Sequence, residues 1–254
     1  YKQDTRRDSC AKVGKFLRGF EEFNDFLQLF LFFFRTRNVR EANFEVVLYV
    51  RFGFADAHGG CCLLRVEDID VTRSRSHEWV ELMYEDLAWL GLRFDGEVMV
   101  QSERFDVYAA ALEKLRAEGL LYPCFCTRAQ LHAAQAPNLG DHEPVYAGTC
   151  AHLTQEEADE RRKTRSPAMR LRVPDKTVSV LDGHYGAFSE NLARDCGDYI
   201  IRRSDGLWGY QLAVVIDDAL TGVNEVVRGR DILFSTPRQI ELFYTLGFEP
   251  PAFY

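Results

Sequence analysis

The chain has 254 residues, 46% hydrophobic and 28% charged. These proportions exclude wholesale disorder, collagen and coiled coil, and suit one large or two small domains. With 31 Lys and Arg against 39 Asp and Glu the net charge is −8, so the chain is no general polyanion binder and would meet nucleic acid only through a local basic surface.

Cysteines stand at 10, 61, 62, 124, 126, 150 and 196. They are odd in number, with an adjacent pair and a Cys-x-Cys, which makes a poor disulfide framework. A reducing, cytoplasmic setting with thiols free for metal is expected. A first residue of Tyr rather than Met suits a fragment or a processed form.

The strongest apolar run, Phe26–Phe34 (FLQLFLFFF), is too short to cross a bilayer, which takes about 20 residues. Glu21, Glu22 and Asp25 before it argue against a secretory or transit signal. The run reads as a buried helix or as a stretch foreign to the fold. Cys61–Val66 reads as a buried strand ending in the acidic cluster Glu67-Asp68-Ile69-Asp70. Ser76 is placed to cap a helix carrying Trp79, Val80, Met83 and Leu87, with Gly91 as its stop. Ser102 is placed to cap a second, with Phe105, Tyr108, Ala109, Leu112 and Leu115 on one face and Gly119 after it.

Thr154-Gln155-Glu156-Glu157 has the form of a capping box. Ala168–Val173 alternates apolar and basic residues like a half-exposed strand. Tyr199–Arg203 and Leu207–Leu212 flank the turn signal Ser204-Asp205-Gly206 and predict a hairpin. Val214-Val215-Ile216 then leads into Asp217-Asp218, and Glu225–Val227 is a short strand ending at Arg228-Gly229. Ser235-Thr236-Pro237 opens a last helix with Ile240, Leu242, Phe243 and Leu246 inward and Gly247 at its end. Strands alternating with helices predict an α/β class with a mainly parallel sheet.

Residues 121–153 lack periodicity and read as an insertion. Cys124-Phe125-Cys126, Tyr146 and Cys150-Ala151-His152 are crowded into it. Thiolates and an imidazole or phenol suit tetrahedral zinc, which would supply folding energy where the core is thin. Three unrelated buried cysteines are the alternative. His152 is the ordinary fourth ligand and Tyr146 the rarer one.

Glu67, Tyr210 and Arg228 fall at or near predicted strand ends, where ligands bind in open α/β sheets. A carboxylate, a phenol and a bidentate guanidinium there could grip an amino acid. A structural Glu67–Arg228 ion pair is the alternative. Asp217-Asp218 reads as a metal site, a ribose site or a strand-end cap. Neither a dinucleotide Gly-x-Gly-x-x-Gly nor a P-loop occurs. His58 and His184 read as isolated. The basic stretches 161–165, 170–172, 202–203 and 228–230 read as solvated faces unless the fold gathers them.

The strings AHGGCCLLRVEDID (57–70), EDLAWLGLRFDGEV (85–98), LYPCFCTRAQL (121–131), GDYIIRRSDGLWGYQLAVVIDDALTGVNEVVRGRDIL (197–233) and STPRQIELFYTLG (235–247) resemble the glutamyl-queuosine tRNA(Asp) synthetase family, over residues 46–254. The resemblance implies a class I synthetase catalytic domain, Rossmann-like, with a structural zinc insertion. It implies activation of glutamate by ATP with Mg²⁺, then transfer of the glutamyl group to queuosine in the anticodon of tRNA(Asp). It carries glutamate binding onto Glu67, Tyr210 and Arg228. Zinc falls on Cys124, Cys126, Tyr146 and Cys150, with His152 as competitor. A cytoplasmic monomer with no membrane partner is expected.

The family's first ATP signature, Pro-Ser-Pro-Thr/Ser-Gly leading to a His-x-Gly motif, belongs around residues 30–44. That stretch reads FLFFFRTRNVREANF, without Pro, Gly or His, and Arg35-Thr36-Arg37 is its nearest remnant. The second, a Lys-x-Ser-Lys loop, belongs beyond Tyr254. An atypical segment 1–45, a truncated end and little or no activity are therefore expected. The rival readings are a catalytic fragment of a glutamyl-tRNA synthetase and a non-catalytic tRNA-binding zinc module.

Overall fold

The computed structural model describes residues 45–48, 60–70, 77–89, 92, 94–127, 129–130, 145–226, 228 and 230–254. The Phe26–Phe34 run, the 30–44 stretch, His58, Ser76 and Gly91 lie outside these residues. The chain divides into two compact units, residues 1–103 and 104–254.

In the first unit, strands β1 (Glu45–Leu48) and β2 (Leu64–Glu67) precede helix α1 (His77–Trp89) and strand β3 (Met99–Val100). β1 runs antiparallel to β2, and β2 parallel to β3. Parallel neighbours need a crossover, which α1 supplies. Leu64 and Val66 pack with Met83, Leu87 and Leu92.

All four residues of β2 are buried, the charged ones included. Arg65 and Glu67, two apart on one face, neutralise each other: Arg65 Nη2 lies 3.1 Å and Nε 3.2 Å from Glu67 Oε1. Just past β2, Asp68 accepts the Ser102 backbone N–H at 2.8 Å and its hydroxyl at 2.5 Å. Ser102 is therefore not a helix cap. It sits in a 3-10 turn, Gln101–Arg104, and the helix begins only at Phe105.

The second unit opens with α2 (Phe105–Ala117), β4 (Leu121–Cys124), α3 (Gln155–Arg162), β5 (Ala168–Leu171), β6 (Thr177–Asp182) and β7 (Gly186–Asn191). It continues with β8 (Tyr199–Arg202), α4 (Tyr210–Thr221), β9 (Glu225–Val226), α5 (Thr236–Leu246) and β10 (Ala252–Phe253). Thr154 caps α3 with the expected reciprocal pair: its hydroxyl accepts from Glu157 N, and Glu157 accepts from Thr154 N. One sheet, β4-β5-β8, is antiparallel, and another runs β7-β6-β10-β9.

Among the described residues the sheets are mixed rather than mainly parallel. Parallel pairing is confined to β2–β3, β6–β10 and β9–β10. The reason is connection length: residues 183–185 can only turn β6 back on β7, whereas α5 gives β9 and β10 a crossover.

The expected 199–212 hairpin closes after a single bridge, Arg202 to Trp208, and Tyr210 starts a helix. Leu212–Asp218 is buried without a break, so no periodicity separates helix from strand there. Gly209 makes the change of direction. A Cβ at that position would stand 2.6 Å from the Ile200 carbonyl oxygen. Helices α2, α4 and α5 share a core of Tyr108, Leu112, Leu212, Val215, Leu242 and Phe243.

Asp217, fully buried in α4, accepts from Arg104 Nε at 2.7 Å and from the Tyr108 hydroxyl at 2.8 Å, fastening α4 to α2. Removing a partner from a buried pair strands the other charge. Asp217→Ala is expected to lower the unfolding free energy by about 3 kcal/mol, read as a shifted urea midpoint. A change under about 0.5 kcal/mol would remove this role.

Candidate functional site

β4 ends at Cys124, paired across the sheet with Ala168. Two residues further Cys126 turns to the same side, and the turn at Gly148–Ala151 brings in Cys150. The three sulfurs lie within 4.8 Å of one another, and those of Cys126 and Cys150 are 3.6 Å apart. The Tyr146 hydroxyl lies 3.5 Å from the Cys124 sulfur and 3.6 Å from that of Cys126. It also accepts the Cys150 backbone N–H at 2.9 Å. Tyr122, Phe125, Ala151 and Ala158 pack around the group. His152 is exposed and is not one of the converging side chains.

These spacings fit a four-coordinate metal. Zinc–sulfur bonds of about 2.3 Å and a zinc–oxygen bond of about 2.0 Å set tetrahedral edges of about 3.8 Å between sulfurs and about 3.5 Å from sulfur to oxygen. Burial pushes the Cys124 thiol up, but hydrogen bonds from Tyr146, Arg170 and the Cys126 backbone outweigh it and bring the thiol below its usual value. Burial and the neighbouring sulfurs push Cys126 up to about 11, and burial with the two thiols raises Tyr146.

Arg170 belongs to the alternating stretch expected to be half-exposed, yet it is buried. Its guanidinium lies 3.6 Å over the Tyr146 ring, and its Nη1 donates to the Asp198 carbonyl at 2.5 Å. Asp198 in turn accepts the Tyr122 hydroxyl at 2.6 Å and Val173 N at 2.9 Å. From α3, Arg161 Nη1 reaches to 4.0 Å from the Cys150 sulfur. A cleft of about 530 Å³ opens beside the thiols, lined by Phe125, Tyr146, Arg161 and Arg165 among others. In the sequence Arg161, Arg165 and Arg170 stand only within basic stretches expected to be solvated faces, and nothing in their spacing marks Arg170 as buried.

The other three candidates sit as follows. Glu67 ends β2 and pairs with Arg65. Tyr210, half-buried, is the first residue of α4 rather than part of a strand. Arg228 lies two residues past β9, where its backbone N–H donates to the Tyr254 carbonyl at 3.1 Å. The Arg228 guanidinium meets Asp182 Oδ2 at 3.3 Å and lies 4.8 Å over the Phe253 ring. None of its three nitrogens has a hydrogen-bond partner among the described residues. Burial lowers the guanidinium below its ordinary value, against the pull of Asp182 and Tyr210. Asp182 Oδ1 is occupied by the backbone N–H groups of His184 at 2.9 Å and Tyr185 at 2.8 Å.

The chain belongs to the class I tRNA synthetases (E and Q), catalytic domain, a family whose pattern it matches over residues 46–254. It is 46% identical over 205 residues to the Glutamyl-Q tRNA(Asp) synthetase of Nitratidesulfovibrio vulgaris, covering 77% of this chain and 63% of that protein. It is 47% identical over 208 residues to the protein of the same name from Symbiobacterium thermophilum, with the same coverage. The chain thus spans a little under two thirds of those relatives. A glutamate tRNA ligase from Elizabethkingia meningosepticum, solved in complex with its amino acid, matches with a TM-score of 0.67 and 27% identity over 79% of this chain and 43% of that one. The catalytic fold is therefore that of a class I tRNA synthetase. Among the described residues no helix is long and apolar enough to cross a membrane.

Gly197 holds the Tyr146 segment against the sheet. Its φ is 68°, and a Cβ would come within 3.0 Å of the Tyr146 backbone N and O. Gly186 has a similar φ of 78° with nothing within 4 Å. Gly197→Ala is expected to cost about 2 kcal/mol more than Gly186→Ala in urea unfolding, since only the first adds a backbone clash to the positive-φ strain. Equal losses would dismiss the close approach.

Proposed function

We propose that this chain is the catalytic part of an enzyme that activates glutamate with ATP and transfers it to queuosine in the anticodon of tRNA(Asp). The observation that carries the glutamate reading is Arg228. Its guanidinium is buried and ion-paired with Asp182 at 3.3 Å, yet none of its nitrogens reaches hydrogen-bond geometry among the described residues, so the fork keeps donors that a carboxylate would fill in bidentate fashion. The family resemblance carries the same glutamate role onto Tyr210 and Glu67. A buried polar site of this kind discriminates strongly, because a wrong side chain leaves its groups unpaired.

The chemistry is positioning and charge neutralisation. The glutamate α-carboxylate attacks the α-phosphorus of ATP in line, and pyrophosphate leaves. A hydroxyl of the queuosine cyclopentenediol then attacks the activated carbonyl, and AMP leaves. Mg²⁺ would neutralise the phosphates. The arginines lining the cleft beside the thiols, Arg161 and Arg165, offer an otherwise acidic chain a local surface for the tRNA backbone. Relatives named Glutamyl-Q tRNA(Asp) synthetase at 46–47% identity favour the queuosine acceptor. The second reading, a catalytic fragment of a glutamyl-tRNA synthetase, draws on the likeness to the glutamate tRNA ligase. Binding of tRNA(Asp) against tRNA(Glu) by this chain separates them. A monomer acting in the cytoplasm goes with the proposal.

With no Pro, Gly or His in residues 30–44, glutamate-dependent ATP–pyrophosphate exchange by this chain is expected to be weak or absent, while L-glutamate binding survives. Calorimetry should show Arg228→Ala losing about 100-fold in glutamate affinity, the cost of unpairing a buried carboxylate. Robust exchange would refute the loss of the ATP motif. Equal glutamate binding by the variant, or none by the wild type, would refute the role of Arg228.

Cys124, Cys126, Cys150 and Tyr146 would hold one zinc ion, whose contribution is to fold the 121–153 insertion. Metal analysis should find about one equivalent in the wild type and almost none in Cys124→Ser. Tyr146→Phe should weaken retention against a chelator, and His152→Ala should not. A metal-free wild type would discard the site, and the reverse order of the last two would make His152 the ligand.

A further inference from the structure

We propose that Arg170 is the positioning residue of the metal centre: it seats the Tyr146 phenol as fourth ligand and offsets the negative charge of the thiolates. The inference rests on the zinc reading above. Zinc with three thiolates carries 2 − 3 = −1, and a net charge in a buried cluster is costly unless an opposite charge lies close. Two guanidinium groups approach the cluster, on opposite terms.

Arg161 is exposed on α3 and stands 4.0 Å from the Cys150 sulfur. Water screens it, so its contribution is small. Arg170 is buried in β5 and lies 3.6 Å over the Tyr146 ring. A desolvated guanidinium stacked on an aromatic face is worth more than an exposed one, and the planar fork is needed for it. A hydrogen bond to the Asp198 carbonyl fixes its plane beside the one it gives the Cys124 sulfur, and Asp198 is itself pinned by Tyr122 and Val173. Arg170 Nε makes no hydrogen bond among the described residues, so the side chain is not spent on a structural network alone. The ring is thus clamped on its face by Arg170 and at its hydroxyl by the Cys150 N–H, which leaves the phenol one place to point, at the sulfurs. Ligand orientation by such outer partners is general in metal sites, and losing one costs about 10–100-fold in metal affinity.

The test uses the full chain loaded with zinc, competed against a chromophoric chelator, and the same chain loaded with Co²⁺ for its visible spectrum. Arg170→Gln is expected to bind zinc about 10–100-fold more weakly, and Arg161→Gln to stay within about threefold, as a screened charge should. In a Tyr146→Phe background the Arg170→Gln loss should shrink, and the Co²⁺ bands of Arg170→Gln should move toward those of Tyr146→Phe. A purely structural Arg170 would give the same loss in both backgrounds and leave the Co²⁺ spectrum of the folded variant unchanged; either result overturns the proposal. If Arg170→Gln does not fold, Arg170→Lys decides: it keeps the charge without the planar stack, and a wild-type Co²⁺ spectrum in it overturns the seating role. A wild type that binds neither metal overturns the zinc reading along with this one. A wild type that binds zinc as tightly as Arg170→Gln overturns this one alone.

Discussion

Arg228 and Asp182 meet 3.3 Å apart with side chains 3% and 1% exposed, and at that depth neither charge could be held alone. The pair fixes much around it. Asp182 is the last residue of β6 and is anchored by two backbone N–H groups of the following turn. Arg228 follows β9, and β10 lies between the two strands in the sheet. The ion pair thus ties both sides of the parallel part of that sheet at its strand ends.

Similar arrangements recur. Arg65 and Glu67 neutralise each other within β2. Asp217 joins α4 to α2 through Arg104 and Tyr108. Arg170 lies against the thiols and Tyr146. Buried charges contribute little net stability, because desolvation offsets most of the attraction. They do exclude alternatives: a shifted register or a rotated helix would strand one partner. Each pair therefore works as a specificity device, while apolar burial around Leu64, around Tyr122 and between α2, α4 and α5 provides the bulk of the favourable free energy.

The thiol cluster follows another logic. The described part of the segment that carries Tyr146 and Cys150 contributes small side chains for the most part, and its packing leans on Tyr122, Phe125 and Ala158 from neighbouring elements. If such a cluster holds a metal, a few strong bonds replace apolar area, and a sequence of this kind need only supply donor groups at workable spacings. That also explains why the site could be suspected from cysteine positions, while its outer partners could not. Arg170 and Asp198 carry no spacing signal, and only the pairing of β5 with β4 and β8 places them.

Several features were legible in the amino-acid order alone, because their causes are local. The capping box at Thr154, the glycines after α2 and α5, the buried strand ending at Glu67 and the thiols of the insertion all follow from rules spanning a few residues. The long family motifs pointed to a class I synthetase for the same reason, as each is a contiguous string. What the tertiary structure decided was non-local. It turned Leu212–Asp218 into a helix, since an unbroken apolar run has no period to read. It made Ser102 a partner of Asp68 instead of a cap. It buried Arg170 and set Asp182 against Arg228, choices that depend on which chain segments desolvate one another across 28 or more residues.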